Sequence, residues 1–177
     1  MIDFIFRNSW WAIRKRPKIK IGLTLFDLII EIAGFVAILA IWILLMVTYS
    51  GLPDVIPINL DHLGQVRSLE AKSSIFKMPI IATASFVVLT ILSRFPRVFN
   101  YPVKITENNA FFQYSNMAKM IRCLNLAIVL IFGFTVFYTV LYVDGSGGVW
   151  FMPLMLVIGL SPLIPVIYFW TRSFKYR

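Results

Sequence analysis

Two carboxylates stand four residues apart in an otherwise apolar run, "FDLIIEIAG", and the only histidine falls in a proline-bracketed segment, "SGLPDVIPINLDHLGQ". Asp27 and Glu31, at i and i+4, share one face of a helix. A carboxylate at mid-bilayer costs roughly 3 kcal/mol on insertion scales, so such residues face a partner, a cavity or an ion path. Two anions that close tend to share a proton or hold a cation, which is the chemistry of a proton- or cation-coupled transport component. The competing reading counts residues. Positions 32–49 alone rise roughly 27 Å as a helix, which puts Asp27 and Glu31 at the membrane edge, beside Lys18, Lys20 or a basic residue of the connection after the second apolar block.

His62, beside Asp61 and Asp54, could carry a proton or ligate a metal. No second histidine or cysteine completes a zinc set, so His62 reads as an exposed loop residue and no metal is expected. Cys123 is the only cysteine, which excludes an internal disulfide. No P-loop, dinucleotide-binding glycine fingerprint, GxSxG elbow or HExxH pair is present, so neither an enzyme nor a cofactor is expected. "GSGG" reads as a tight turn. In "GLSPLIPV", Pro162 and Pro165 free backbone carbonyls and kink a helix, which can build a hinge or binding site, but without an inverted repeat the kink reads as structural.

The elements that must carry these residues are apolar blocks. Of 177 residues 59% are hydrophobic and 14% charged, and the mean hydropathy is +0.82, beyond a soluble domain. The blocks begin near Leu23, Ile75, Leu124 and Val149, and each approaches the ~20 residues that cross a hydrocarbon core. The first follows a basic cluster, as a signal sequence does. It is too long for one, and "MVTY" offers no small-x-small cleavage site, so it is expected to be retained. Lipid cannot satisfy open backbone groups, so the blocks are expected to be helices, at about 23–49, 75–93, 123–143 and 149–171. Short connections then predict an all-α, integral membrane four-helix up-down bundle, with one transmembrane domain over 22–172.

The net charge of +9 flanks the blocks and leaves no polar module to read nucleic acid. Arg7, Arg14, Lys15, Arg16, Lys18 and Lys20 precede the first block. Arg94, Arg97, Lys104, Lys119 and Arg122 follow the second, and Arg172, Lys175 and Arg177 follow the fourth. The other three, Arg67, Lys72 and Lys77, follow the first. This asymmetry predicts both termini on the cytoplasmic side, with an extended extracytoplasmic loop over 50–74. Segment 1–21, with Trp10 and Trp11, reads either as an amphipathic anchor on anionic lipid or as a simple basic flank. In 94–122, Phe111, Tyr114, Met117, Ala118 and Ile121 keep helical spacing, with Thr106 as N-cap and Glu107 in the first turn. This predicts an interfacial helix that could run into the third span. Residues 173–177 form a basic tail.

"LPDVIPINLDHLGQVRSLEAKS", 52–73, between the first two expected helices, resembles the signature of a bacterial membrane family, domain of unknown function sixteen forty-eight, which includes the SdpI-like immunity proteins. "NYPVKITENNAFFQYSNMAKMIR" is similar to that family's next connection. Leu52, Pro53, Ile56, Pro57, Gly64 and Lys72 match. Asn59 stands where the family has histidine, Asp61 where it usually has asparagine, and Arg67 where it has an acid. The resemblance implies a small non-enzymatic membrane protein of immunity or sensing type, whose outer loop meets a peptide or protein through Pro53, Asp54, Pro57, Asn59, Asp61, His62, Gly64 and Lys72. Lipid is the first partner expected, and a homo-oligomer a further candidate. Physically, Pro53 and Pro57 favour extended backbone and Gly64 permits a turn. Ile56 and Ile58 alternate with Pro57 and Asn59, so one face could lie on the bundle, with Lys72 snorkelling at the membrane edge.

Overall fold

The computed structural model describes residues 15–60, 66–145 and 151–175. Helix α1 runs over Leu25–Thr48, strands β1 and β2 over Val55–Leu60 and Val66–Ala71, and helices α2 and α3 over Lys77–Ser93 and Ala110–Val143. Two shorter helices follow, α4 over Phe151–Leu160 and α5 over Leu163–Lys175. Four stretches are helical, long and apolar enough to cross a membrane: Leu25–Gly51, Lys72–Ser93, Ala110–Val143 and Pro153–Lys175. In their most apolar windows only 22%, 17%, 22% and 6% of residues are buried. Apolar surface on that scale needs lipid against it, so the chain reads as a multi-pass membrane protein.

Each boundary has a local cause. Helix α1 opens on a reciprocal cap: Asp27 N–H donates to Thr24 Oγ1 (3.3 Å) and Thr24 N–H donates to Asp27 Oδ2 (2.8 Å). The third expected helix begins earlier than 123. It is one 34-residue helix that absorbs the amphipathic segment, and it starts at Ala110 rather than just after Thr106. Asn109 Oδ1 accepts from Thr106 N–H (2.9 Å) and Asn109 Nδ2 donates to Lys104 O (3.0 Å), which ties 104–109 together ahead of the helix. The fourth expected helix is two. Pro162 has no N–H to continue the ladder, so it breaks there; Ser161 N–H donates to Ile158 O and Ile164 N–H to Ser161 O.

The 50–74 loop is structured beyond the expected extended cap, and it makes the fold other than purely helical. After a 3-10 turn at Tyr49–Gly51, β1 and β2 pair antiparallel, with Val55 opposite Ala71, Ile56 opposite Glu70 and Pro57 opposite Leu69. The register slips on either side of Asn59, next to Pro57, which cannot donate to a ladder. A lone two-stranded hairpin is marginal in water. This one is held because Ile56, fully buried, packs with Leu45 of α1, Leu52, Ile75 and Val140 of α3.

Helix α3 is the hub and packs against α1, α2, α4, α5 and β1. A middle cluster of Ile38, Ile41, Ala82, Val129 and Val136 joins α1, α2 and α3, with Trp42 Nε1–H donating to Thr83 Oγ1 at 3.1 Å. Gly34 lets α1 and α2 close: a Cβ there would lie 2.6 Å from Phe86 Cε2. A third cluster, at the start of α3, gathers Tyr101, Ala110, Tyr114, Met117 and Ile121, with Ile19 and Ile21 from the segment before α1 packed on it. The turn after α3 begins with Asp144 and Gly145, the glycine at φ +74°, a left-handed conformation. The remainder of "DGSGG" lies outside the described residues.

Candidate functional site

Asp27 and Glu31 do share a face, and one side chain reaches both. Arg122 of α3 donates from Nη1 to Asp27 Oδ1 at 2.9 Å and from Nε to Glu31 Oε1 at 2.8 Å. Arg94, just past α2, donates from Nη2 to Glu31 Oε2 at 2.6 Å. Asp27 Oδ2 accepts from the Thr24 N–H and, at 2.7 Å, from the Thr24 hydroxyl. Every carboxylate oxygen of the pair therefore faces a donor. Asp27 and Arg122 are 1% and 6% exposed, so this is a desolvated pair that survives through its hydrogen bonds. A proton shared between the carboxyls, or a cation between them, would have to displace a guanidinium.

Further buried polar groups surround this end of the helices, and none was singled out from the sequence. Gln113 Nε2 donates to Ser173 O (2.9 Å), and Asn116 Nδ2 to Phe169 O (2.7 Å) and Ser173 Oγ (2.9 Å), which ties α3 to α5. Asn125 Nδ2 donates to Phe86 O (3.2 Å) and Thr90 Oγ1 (3.1 Å) on α2. Arg16 straps the segment before α1 to the α2–α3 connection, donating from Nη1 to Arg97 O (2.9 Å) and Phe99 O (2.6 Å) while lying 5.4 Å over the Tyr101 ring. Burial pushes the Tyr101 phenol far above its ordinary pKa, and its hydroxyl donates to Pro96 O at 2.7 Å. The available signal was polar residues recurring at i, i+3, i+9 and i+12 (Gln113, Asn116, Arg122, Asn125) on one stretch of α3.

Of the expected loop site, the structure places Pro53, Asp54, Pro57 and Lys72. Lys72 is tied to the hairpin: its N–H donates to Asp54 O (2.8 Å) across the open end. Its ammonium pairs with Asp54 Oδ1 at 3.3 Å and sits 5.5 Å over the Tyr49 ring. The Asp54 side chain is 94% exposed, so the ion pair itself contributes little. A hydrogen bond from Lys77 holds the Glu70 carboxyl below its usual range, at 2.6 Å. Val55 and Leu69, on the hairpin face away from Ile56, are exposed, as is Val66. The Asn59 side chain and residues Asp61, His62 and Gly64 lie outside the described residues, as do Trp10 and Trp11. Among the described residues no group of three or more His, Cys, Asp or Glu could hold a metal.

An apolar cavity of about 520 Å3 lies between α1, α3 and α4, with Ala37, Gly133, Phe137 and Ile158 in its wall and Ser161 contributing a hydroxyl-bearing side chain. No protein-family model, curated protein or solved structure matches this chain.

Proposed function

We propose that the protein is a small non-enzymatic component of a bacterial inner membrane, of immunity or sensing type, that meets a peptide or protein through the β1–β2 hairpin. One observation carries this reading: the hairpin is anchored by Ile56 yet presents Val55, Val66 and Leu69 outward. A two-stranded sheet also keeps one unpaired edge on each strand, and an extended peptide can add there through main-chain hydrogen bonds, with side-chain contacts to the exposed apolar residues supplying selectivity. The resemblance to the immunity-protein family points the same way, with Asn59 in place of its histidine.

The up-down arrangement is supported by the two terminal clusters. One gathers the end of α1, the approach to α2 and the end of α3. The other gathers the approach to α1, the end of α2 and the start of α3. The basic residues concentrate in the segments of the second cluster, which favours both termini inside. Transport through Asp27 and Glu31 is the alternative. Their saturation by Arg122, Arg94 and Thr24 supports a structural role instead, so an Asp27→Asn, Glu31→Gln double variant should leave proton or ion flux across the membrane unchanged.

The deciding experiment is photo-crosslinking from Leu69 in native membranes. A specific extracytoplasmic peptide or protein should be captured, and its capture should be lost in Val55→Asp. Recovery of self-crosslinks alone would replace this reading with an oligomeric scaffold. A periplasm-dependent reporter fused after Gly64 should be active and one fused after Lys104 inactive; the reverse pattern would overturn the orientation.

A further inference from the structure

At the Arg122 end of the helices a cavity of about 350 Å3 opens between the segment before α1, the end of α2 and α3. Its wall includes Lys20, Ser93, Arg94 and Arg122, with Ile21 and Ala118 as apolar flanks. Asp27 and Glu31 do not line it. They lie behind the guanidinium groups and fix their orientation, taking Nε and Nη1 of Arg122 and Nη2 of Arg94. The remaining donors, Nη2 of Arg122 and Nε and Nη1 of Arg94, are uncommitted among the described residues. Lys20 is exposed and makes no ion pair among those residues. Three cations against two carboxylates leave positive charge in excess, and the side bearing it faces the void.

The level of the cavity is informative. Lys20 precedes the first span, which begins at Leu25, and Arg94 follows the second, which ends at Ser93. Both therefore sit at headgroup depth rather than in hydrocarbon. Guanidinium forks oriented from behind, beside the exposed Lys20 ammonium, match the oxygens of a phosphate, and basic pockets between helices at the membrane edge are suited to anionic lipid heads. We propose that the Lys20–Arg94–Arg122 cavity binds a phosphate oxyanion, carried by an anionic lipid headgroup or by a soluble phosphate compound. The site is remote from the hairpin and does not depend on what the hairpin binds.

The test titrates the purified full chain in neutral detergent with phosphatidylglycerol and with phosphatidylcholine, reading retention by native mass spectrometry, and adds inorganic phosphate as a competitor. Phosphatidylglycerol should be retained over phosphatidylcholine. That preference should fall about fivefold in Lys20→Gln, which breaks no ion pair, and survive in Lys18→Gln, an exposed lysine of the same segment outside the cavity wall. Retention that inorganic phosphate does not disturb assigns the site to a lipid headgroup; displacement by phosphate with the same Lys20 dependence assigns it to a soluble phosphate. Equal retention of the two lipids with no effect of phosphate overturns the proposal. So does an equal loss in the Lys18 and Lys20 variants, which would mean diffuse attraction to the basic segment.

Discussion

Replacing Arg122 by methionine would leave the Asp27 carboxylate, 1% exposed, with only the Thr24 donors. Removing one partner of a buried pair costs about 3–5 kcal/mol, and equilibrium unfolding in detergent should show a loss of that size. Arg122→Lys keeps the charge but loses the fork that reaches two carboxylates at once, so it should restore only part of the stability. Adding Asp27→Asn to Arg122→Met should recover a further part, and strict additivity of the two single effects would mean that the pair is not coupled. The i, i+4 spacing of Asp27 and Glu31 already put both on one face. A basic residue of the connection after the second block was one of the partners the sequence offered, and Arg94 and Arg122 are two of those; which residues they would be was not legible, because Arg122 lies 91 and 95 positions away in sequence and no local pattern distinguishes it from Lys18 or Lys20.

At the scale of elements, the alternation of Ile56 with Pro57 did indicate an inward face, but the hairpin was missed. Pro57 argues against a strand when the bulge that accommodates it cannot be foreseen. Ile56→Ala should cost about 2–4 kcal/mol, and amide exchange of Val66–Ala71 should accelerate more than that of α3, because the buried side chain is what makes the two strands stable. The α1–α2 contact has its own weak point at Gly34. Gly34→Ala drives a methyl against the Phe86 ring, where 2.6 Å is available, and should destabilise by about 1–3 kcal/mol. Phe86→Leu in the same chain should relieve part of that loss, and a failure to do so would place the strain elsewhere. The break at Pro162 was readable as a kink from the sequence, but the separation of α4 from α5 depended on which carbonyls found substitute donors.

For the whole molecule, the apolar blocks identified all four candidate spans, because 18 or more apolar residues in a row have few other solvents than lipid. The length of α3 was less accessible. Its start, 110–122, carries Gln113, Asn116 and Arg122, which fit a surface helix as well as one running into the third span until α5 and α1 supply their partners. At 34 residues α3 rises roughly 51 Å, well beyond a hydrocarbon core of about 30 Å. No proline interrupts it. Val140, near one end, packs beneath the hairpin, and Arg122, toward the other, grips α1. A continuous helix of that length neither telescopes nor buckles easily, so the packing beneath the hairpin and the Arg122 grip on α1 belong to one stiff element.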